Sequence, residues 1–388
     1  MPSWGAYVVV FAVAFGTTFV LTPVLRRVAL RYQIVAVPNE RRVHTVPVPY
    51  LGGVAMLLGF LGALGVAWRL HAFRLMFEGS SVPLGVALGA VILCLVGTVD
   101  DVREVSAPAK TAGMVLGGSV MYLLGVSLLY FRVPFAGSLL VLGPDLAPLI
   151  SVLWVIGMVN AVNFIDGLDG LAAGIVAIAA GAFFLYGHRL ALPSIAVIGP
   201  DNPSPLIAVI VAGLCLGFLP FNFNPARIFM GDGGALMLGG LMGAATILVG
   251  GQSNEQFSGQ VFFFFAPLFI PFFVMGVPIV DTAFAIVRRA TKRVGLAEAD
   301  KDHLHHRLMR LGHGQRRSVV ILWLWSALLS GFVLYPVYTR KGDAVVPFGV
   351  GALALVLLTW FHPGSRRARE EGELNGQGEP EGSVDSVP

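Results

Sequence analysis

About eleven stretches of roughly twenty mostly apolar residues divide this 388-residue chain, with only short breaks of glycine, proline and charge between them. The hydrocarbon core of a bilayer takes about 20 residues of helix to cross, so the expected fold is all-α, a polytopic membrane protein. The spans read as 4–25, 51–68, 83–99, 111–130, 147–162, 170–187, 205–220, 234–250, 261–287, 318–338 and 344–361. The ninth is overlong and carries Pro267, Pro271 and Pro278, which predicts a kink or break. Gly239 and Gly243 predict close helix packing in the eighth. Composition agrees: 56% of residues are hydrophobic, only 12% are charged, and the mean hydropathy is +0.79. A soluble fold of this length could not hide so much apolar surface. Cys94 and Cys215 lie inside apolar runs and read as small buried hydrophobes rather than a disulfide or metal site. Nothing positive precedes Arg26, so 4–25 reads as a retained helix and not a cleaved leader. One integral membrane domain is expected over 1–363. A tail at 364–388, biased to Glu, Gly, Ser and Pro, is expected to be disordered.

Orientation follows from basic residues in the loops. Of the 26 Lys and Arg residues, all but six fall in alternate loops, at 26–50, 100–110, 221–233 and 288–317, and in the tail. That side is expected to be cytoplasmic. Eleven crossings then put the N-terminus outside and the C-terminus inside, in a bacterial inner membrane.

The unusual polar residues collect on the same side. Arg41, Arg42 and His44 stand in its first loop, Asp100 and Asp101 in the second, and Asn160, Asn163, Asp166 and Asp169 in the third. Asn222, Asn224, Arg227 and Asp232 stand in the fourth, and His303, His305, His306 and Arg307 in the fifth. Ionisable groups near membrane depth are costly and usually functional, so a site on the cytoplasmic face is the economical reading. Each cluster also has a plain one. Asp100 and Asp101 could cap a segment, although adjacent carboxylates repel and call for a positive neighbour. The Asn and Asp residues recurring every three positions from Asn160 would make a polar ridge on a helix end, or a structural ladder. Asp232 could be only an N-cap, yet Gly231, Gly233 and Gly234 free the backbone around it for a phosphate or metal. The histidines alone could suggest zinc. On a helix, however, His303, His306, Arg307 and Arg310 lie opposite Leu304, Leu308 and Leu311, and such a cationic face suits phosphate better.

Charge then bears on the ligand. Carboxylates at Asp100, Asp101, Asp166, Asp169 and Asp232 would repel an anionic diphosphate unless a divalent cation intervened. Oxygen ligands select Mg²⁺, with Mn²⁺ as substitute, and carboxylate-held Mg²⁺ beside Arg and His is a phosphoryl-transfer constellation.

Five blocks carry a family resemblance: Pro38 to His44 with Leu51-Gly-Gly53, Gly97 to Asp101, Asn160 to Gly170, Asn222 to Gly234, and His303 to Arg307. In this order they resemble the polyprenyl-phosphate N-acetylhexosamine-1-phosphate transferases, on the WecA- and TagO-like side, with the MraY branch more distant. The resemblance implies transfer of GlcNAc-1-phosphate from UDP-GlcNAc to undecaprenyl or decaprenyl phosphate with release of UMP. This would be the first membrane step of a cell-envelope glycopolymer such as teichoic acid. It implies Asp232 as the main Mg²⁺ ligand with Asp166 beside it, and Asp100, Asp101 and Asp166 as catalytic, one of the Asp pair acting on the lipid phosphate. Asn163, Asp169, Asn222 and Phe229 would hold substrate, Phe229 by stacking on uracil. His303, His305, His306 and Arg307 would handle diphosphate and sugar, with Arg42 and His44 also on substrate. Ala36 stands where many relatives carry Asp, and the lysine that MraY enzymes place before their Gly-Gly pair is absent. The rival within the family uses UDP-MurNAc-pentapeptide or another UDP-hexosamine. The rival from another class is a cation-coupled transporter, which should show mid-span polar residues and inverted repeats. Expected partners are the two substrates and the bilayer, with no nucleic acid; a homodimer is compatible.

Overall fold

The computed structural model describes residues 2–36, 47–132, 139–252, 314–339 and 345–360. The chain is mostly helical. Its long helices are α1 (Trp4–Arg31), α2 (Gly52–Arg69), α4 (Val82–Arg103), α5 (Ala107–Leu123), α6 (Leu146–Ile165), α7 (Leu171–Leu190), α8 (Ser204–Asn222), α9 (Gly231–Gly250), α10 (Gln315–Thr339) and α11 (Val345–Trp360). A short α3 (Arg74–Phe77) links α2 to α4. Eight of these helices, all but α3, α5 and α11, are long and apolar enough to cross a membrane. The expected span at 261–287 and the tail at 364–388 lie outside the described residues.

The helices pack around α9. It lies among α2, α4, α6 and α8 and is buried along nearly its whole length. Small residues permit this. A Cβ on Gly239 would come within 2.5 Å of Val159 Cα on α6, and one on Gly243 would press on Met158 and Val155, as close packing requires. The outer faces of the other helices expose Val8, Phe19, Val20, Leu58, Leu88, Leu95 and Leu153. Apolar residues on both inner and outer faces fit a bundle whose solvent is lipid.

Three expectations are corrected by the structure. Asp100 and Asp101 are not in a loop, because α4 runs on to Arg103 and ends where Glu104 turns left-handed at φ 49°. The span expected at 111–130 is the 17-residue α5, which stops at Leu123 before Gly125 adopts φ +104°. The chain is also not helix alone. Val35–Ala36 (β1) pairs antiparallel with Val48–Pro49 (β2), and Tyr130–Arg132 (β3) with Leu139–Val141 (β4). Both ribbons tie together the two ends of a connection between helices, where extended backbone must find partners outside a helix.

Candidate active site at the start of the central helix

The first amides of a helix have no partner within it and carry partial positive charge. In α9 the N-cap is Met230, whose side chain offers nothing. The cap comes instead from α4: Asp101 accepts the N–H of Asp232 at 2.9 Å and of Gly233 at 3.2 Å. One member of the acidic pair is thus a cap, but for a helix 131 residues further along. Glycine makes the approach possible. A Cβ on Gly97 would overlap the Asp232 carbonyl, and one on Gly53 of α2 would overlap the Gly234 amide. The amides of Gly52 and Gly53 donate to the carbonyls of Phe229 and Met230 at 3.1 and 2.9 Å, fastening α2 to the same point.

Asp100 is employed differently. Its Oδ1 accepts the Val105 N–H at 2.7 Å, and its Oδ2 pairs with Lys110 Nζ at 2.8 Å. Lys110, in the first turn of α5, also pairs with Asp232, whose other oxygen accepts from Asn163 Nδ2 at 2.9 Å. Side chains from α4, α5, α6 and α9 therefore meet at one place. The Lys110 side chain is 18% exposed and that of Asp232 28%, so the pair is screened only in part. Asp166 follows the end of α6 as its C-cap. Burial, then the charges of Asp232, Asp101 and Asp169, push its carboxyl up to about 8.

Among the described residues no three His, Cys, Asp or Glu side chains gather closely enough to hold a metal alone. That arrangement still fits magnesium. Mg²⁺ is usually held by one or two carboxylates and completed by substrate phosphates and water. Asp232 and Asp166 are the carboxylates that would hold it, Asp232 in exchange for its pair with Lys110, whereas Asp101 gives both oxygens to backbone amides at the helix start.

The remaining residues sort themselves by partner. Asn222 is 2% exposed and spends its amide inside the chain: Oδ1 accepts the Gly170 N–H at 3.1 Å and Nδ2 donates to the Ile228 carbonyl at 3.1 Å. It latches the 167–170 turn to the 223–230 segment. Asp169 Oδ2 accepts from Asn224 Nδ2 and the Ala226 N–H, both at 2.9 Å. Phe229 is half-buried, its ring centroid 6.3 Å from that of Tyr50. Asn160, first of the polar ridge, turns back on its own helix and donates to the Ile156 carbonyl at 2.9 Å. Arg42, His44, His303, His305, His306 and Arg307 lie outside the described residues.

Lys110 is the site residue that sequence reading missed. It entered there only as a count of positive loop charge. The available signal was a lysine in an arginine-rich chain, placed just after an acidic pair that needed a positive neighbour.

A membrane-crossing bundle with carboxylates, one ammonium and an amide gathered at the start of its buried central helix defines a polytopic membrane protein with an acid-rich site. Residues 83–250 match Glycosyl transferase family 4, a stretch that runs from α4 to α9 and includes every described residue from Asp100 to Asp232. The chain is 35% identical to the decaprenyl-phosphate N-acetylglucosaminephosphotransferase of Mycolicibacterium smegmatis, over 88% of this chain and 85% of that protein. It is also 35% identical to a probable undecaprenyl-phosphate N-acetylglucosaminyl 1-phosphate transferase of Bacillus subtilis, over 83% of each chain. A phospho-N-acetylmuramoyl-pentapeptide-transferase of Desulforudis audaxviator is 30% identical over 82% of this chain and 94% of its own. The chain belongs to the polyprenyl-phosphate N-acetylhexosamine-1-phosphate transferases of glycosyl transferase family 4.

Proposed function

We propose that this protein transfers GlcNAc-1-phosphate from UDP-GlcNAc to a polyprenyl phosphate, releasing UMP. The observation that carries the reading is the meeting of Asp100, Lys110, Asn163 and Asp232 at the start of α9, in a chain 35% identical to relatives named for this transfer. A phosphate oxygen of the lipid attacks the phosphorus attached to the sugar. The bond from that phosphorus to the UMP oxygen breaks, and UMP leaves with the electron pair. Asp100 is the member of the acidic pair that serves the lipid phosphate, because Asp101 already caps α9. Lys110, lying between Asp100 and Asp232, offsets charge on the phosphates as they approach. Asp232 and Asp166 would hold Mg²⁺, with Mn²⁺ as substitute, and the ion would supply charge neutralisation of the donor diphosphate. Asp169 and Phe229 hold the nucleoside, Asn222 supports them, and His303, His305, His306 and Arg307 handle the diphosphate and sugar, with Arg42 and His44 also on substrate.

The chain crosses a bacterial inner membrane eleven times, with the N-terminus outside and the site facing the cytoplasm. Support comes from the loop bias of basic residues. Both native cysteines are buried, so single cysteines introduced at Ala107 and Ser80 report orientation directly. An impermeant thiol reagent applied to intact cells should label only the second; labelling at Ala107 would reverse the topology.

The donor is tested with purified protein in detergent, polyprenyl phosphate, Mg²⁺ and a panel of UDP-sugars, by measuring UMP release. UDP-GlcNAc should support turnover and UDP-MurNAc-pentapeptide should not. Comparable rates with the muramyl donor would put the chain on the other branch of the family. Turnover undiminished in excess EDTA would remove the metal from the proposal.

A further inference from the structure

Asp169 does not stand alone. Its Oδ2 takes two hydrogen bonds from the 224–226 segment, leaving Oδ1 without a hydrogen bond among the described residues. The donor of one bond, Asn224, is itself held from a third element. Its Nδ2 carries two hydrogens: one goes to Asp169, and the other to Gln315 Oε1 at 2.7 Å. Its carbonyl accepts Arg316 Nε at 2.8 Å. Gln315 and Arg316 are the first two residues of α10, and they grip the same residue by side chain and by backbone.

We propose that Gln315, assisted by Arg316, is a positioning residue that acts through Asn224 to aim the Asp169 carboxylate at the nucleoside end of the donor. The proposal rests on the reading that Asp169 holds the nucleoside. An amide bonded through one hydrogen can swing about that bond, whereas one held through both is fixed in plane. Gln315 is half-buried and Arg316 exposed, so most of the effect belongs to Gln315.

α10 has anchors besides these two residues. Trp323 lies with its ring centroid 5.5 Å from that of Phe223 and covers Gly174, where a Cβ would overlap the indole. Further along α10, the Tyr338 hydroxyl donates to the Leu185 carbonyl at 2.9 Å. α10 is thus seated on α7 by packing and by a separate hydrogen bond. Loss of the Gln315 acceptor frees Asn224 without unfastening the helix.

The test compares Gln315→Leu, which removes the acceptor at similar size, with Gln315→Glu, which keeps it. UDP affinity is measured by calorimetry in detergent, and KM for each substrate by UMP release. Gln315→Leu should weaken UDP binding and raise the donor KM by roughly five- to tenfold, the size of one hydrogen bond. Turnover number and lipid KM should stay within about twofold of wild type, and Gln315→Glu should restore donor binding. In an Asn224→Ala background, Gln315→Leu should add nothing, because the two act in series. A folded Gln315→Leu protein with unchanged UDP affinity overturns the proposal, and so do additive effects with Asn224→Ala. Failure of the underlying reading looks different: Asp169→Ala would itself leave UDP affinity unchanged, and the positioning role would fall with it.

Discussion

The two ends of α9 are both rich in hydrogen bonds, but they use different chemistry. Toward its end, Ser204 Oγ donates to the Ala245 carbonyl at 3.0 Å, Asn202 Nδ2 to the Leu248 carbonyl at 2.7 Å, and Trp154 Nε1 to Thr246 Oγ1 at 2.8 Å. Every one of these groups is neutral, and the Leu248 carbonyl is one that the helix end leaves open. At its start, carboxylates from α4 and α9 face a single ammonium, and Asp166 adds a carboxyl pushed up to about 8. Neutral closure at low dielectric is what stability alone requires. Gathering like charges is not, since it costs folding energy unless a ligand later offsets it. The contrast is the one expected if the proposed site lies at the start of α9 and the other end only closes the helix.

The comparison breaks most visibly at Asp232. Asp232→Asn keeps the size and the bond to Asn163 but removes the charge, and it should lower kcat/KM on the order of 10³-fold. Thermal unfolding in detergent should stay close to wild type. A nearly active Asp232→Asn enzyme would mean that charge at this end is incidental. Lys110→Met comes next. It leaves Asp100 and Asp232 facing each other without the ammonium, and should cost about 1–3 kcal/mol of stability. UMP release should fall on the order of 10²-fold, because the removed charge is the one proposed to meet the phosphates. If stability falls while turnover does not, Lys110 is structural only.

Asn202→Ala probes the other end. It removes the bonds to the Leu248 carbonyl and from the Ser204 N–H, and should lower stability by about 1–2 kcal/mol. Turnover per folded molecule should remain within about twofold of wild type. A large loss of turnover with normal stability would show that the two ends are coupled through α9.

The bundle was legible because apolar length is a local property. A run such as 205–220 needs no knowledge of its neighbours to be read as a span, and α8 covers it. Asp100, Asp101, Asp166 and Asp232 stood out for the same reason, since each is an acid among apolar residues. Their division of labour was not legible. Asp101 serves an amide 131 positions away, Lys110 an acid 122 positions away, and Asn163 the same acid 69 positions away. No spacing rule reaches across such distances. The ends of α4 and α5 were misplaced because Glu104 and Gly125 take left-handed conformations that composition does not announce.

Asn160 gives the smallest expected effect and the sharpest test of that sorting. By spacing it belongs with Asn163, Asp166 and Asp169, and it opens the same motif block. By geometry it does not, because its Nδ2 donates within α6 to the Ile156 carbonyl at 2.9 Å and, among the described residues, otherwise meets only Met114 Sδ at 3.7 Å. A bond back to the i−4 carbonyl adds little, since that carbonyl already serves the helix ladder. Asn160→Ala should therefore change stability by less than about 0.5 kcal/mol, the range of substitutions away from cavities, caps and networks. UMP release should stay within about twofold of wild type, while Asn163→Ala, which strips the amide from Asp232, should lose turnover on the order of tenfold or more. The pair differs by three positions and shares side-chain chemistry, so only the partner distinguishes them. Equal losses in both would mean that the ridge works as a unit and that the hydrogen bond to Asp232 is not what selects Asn163.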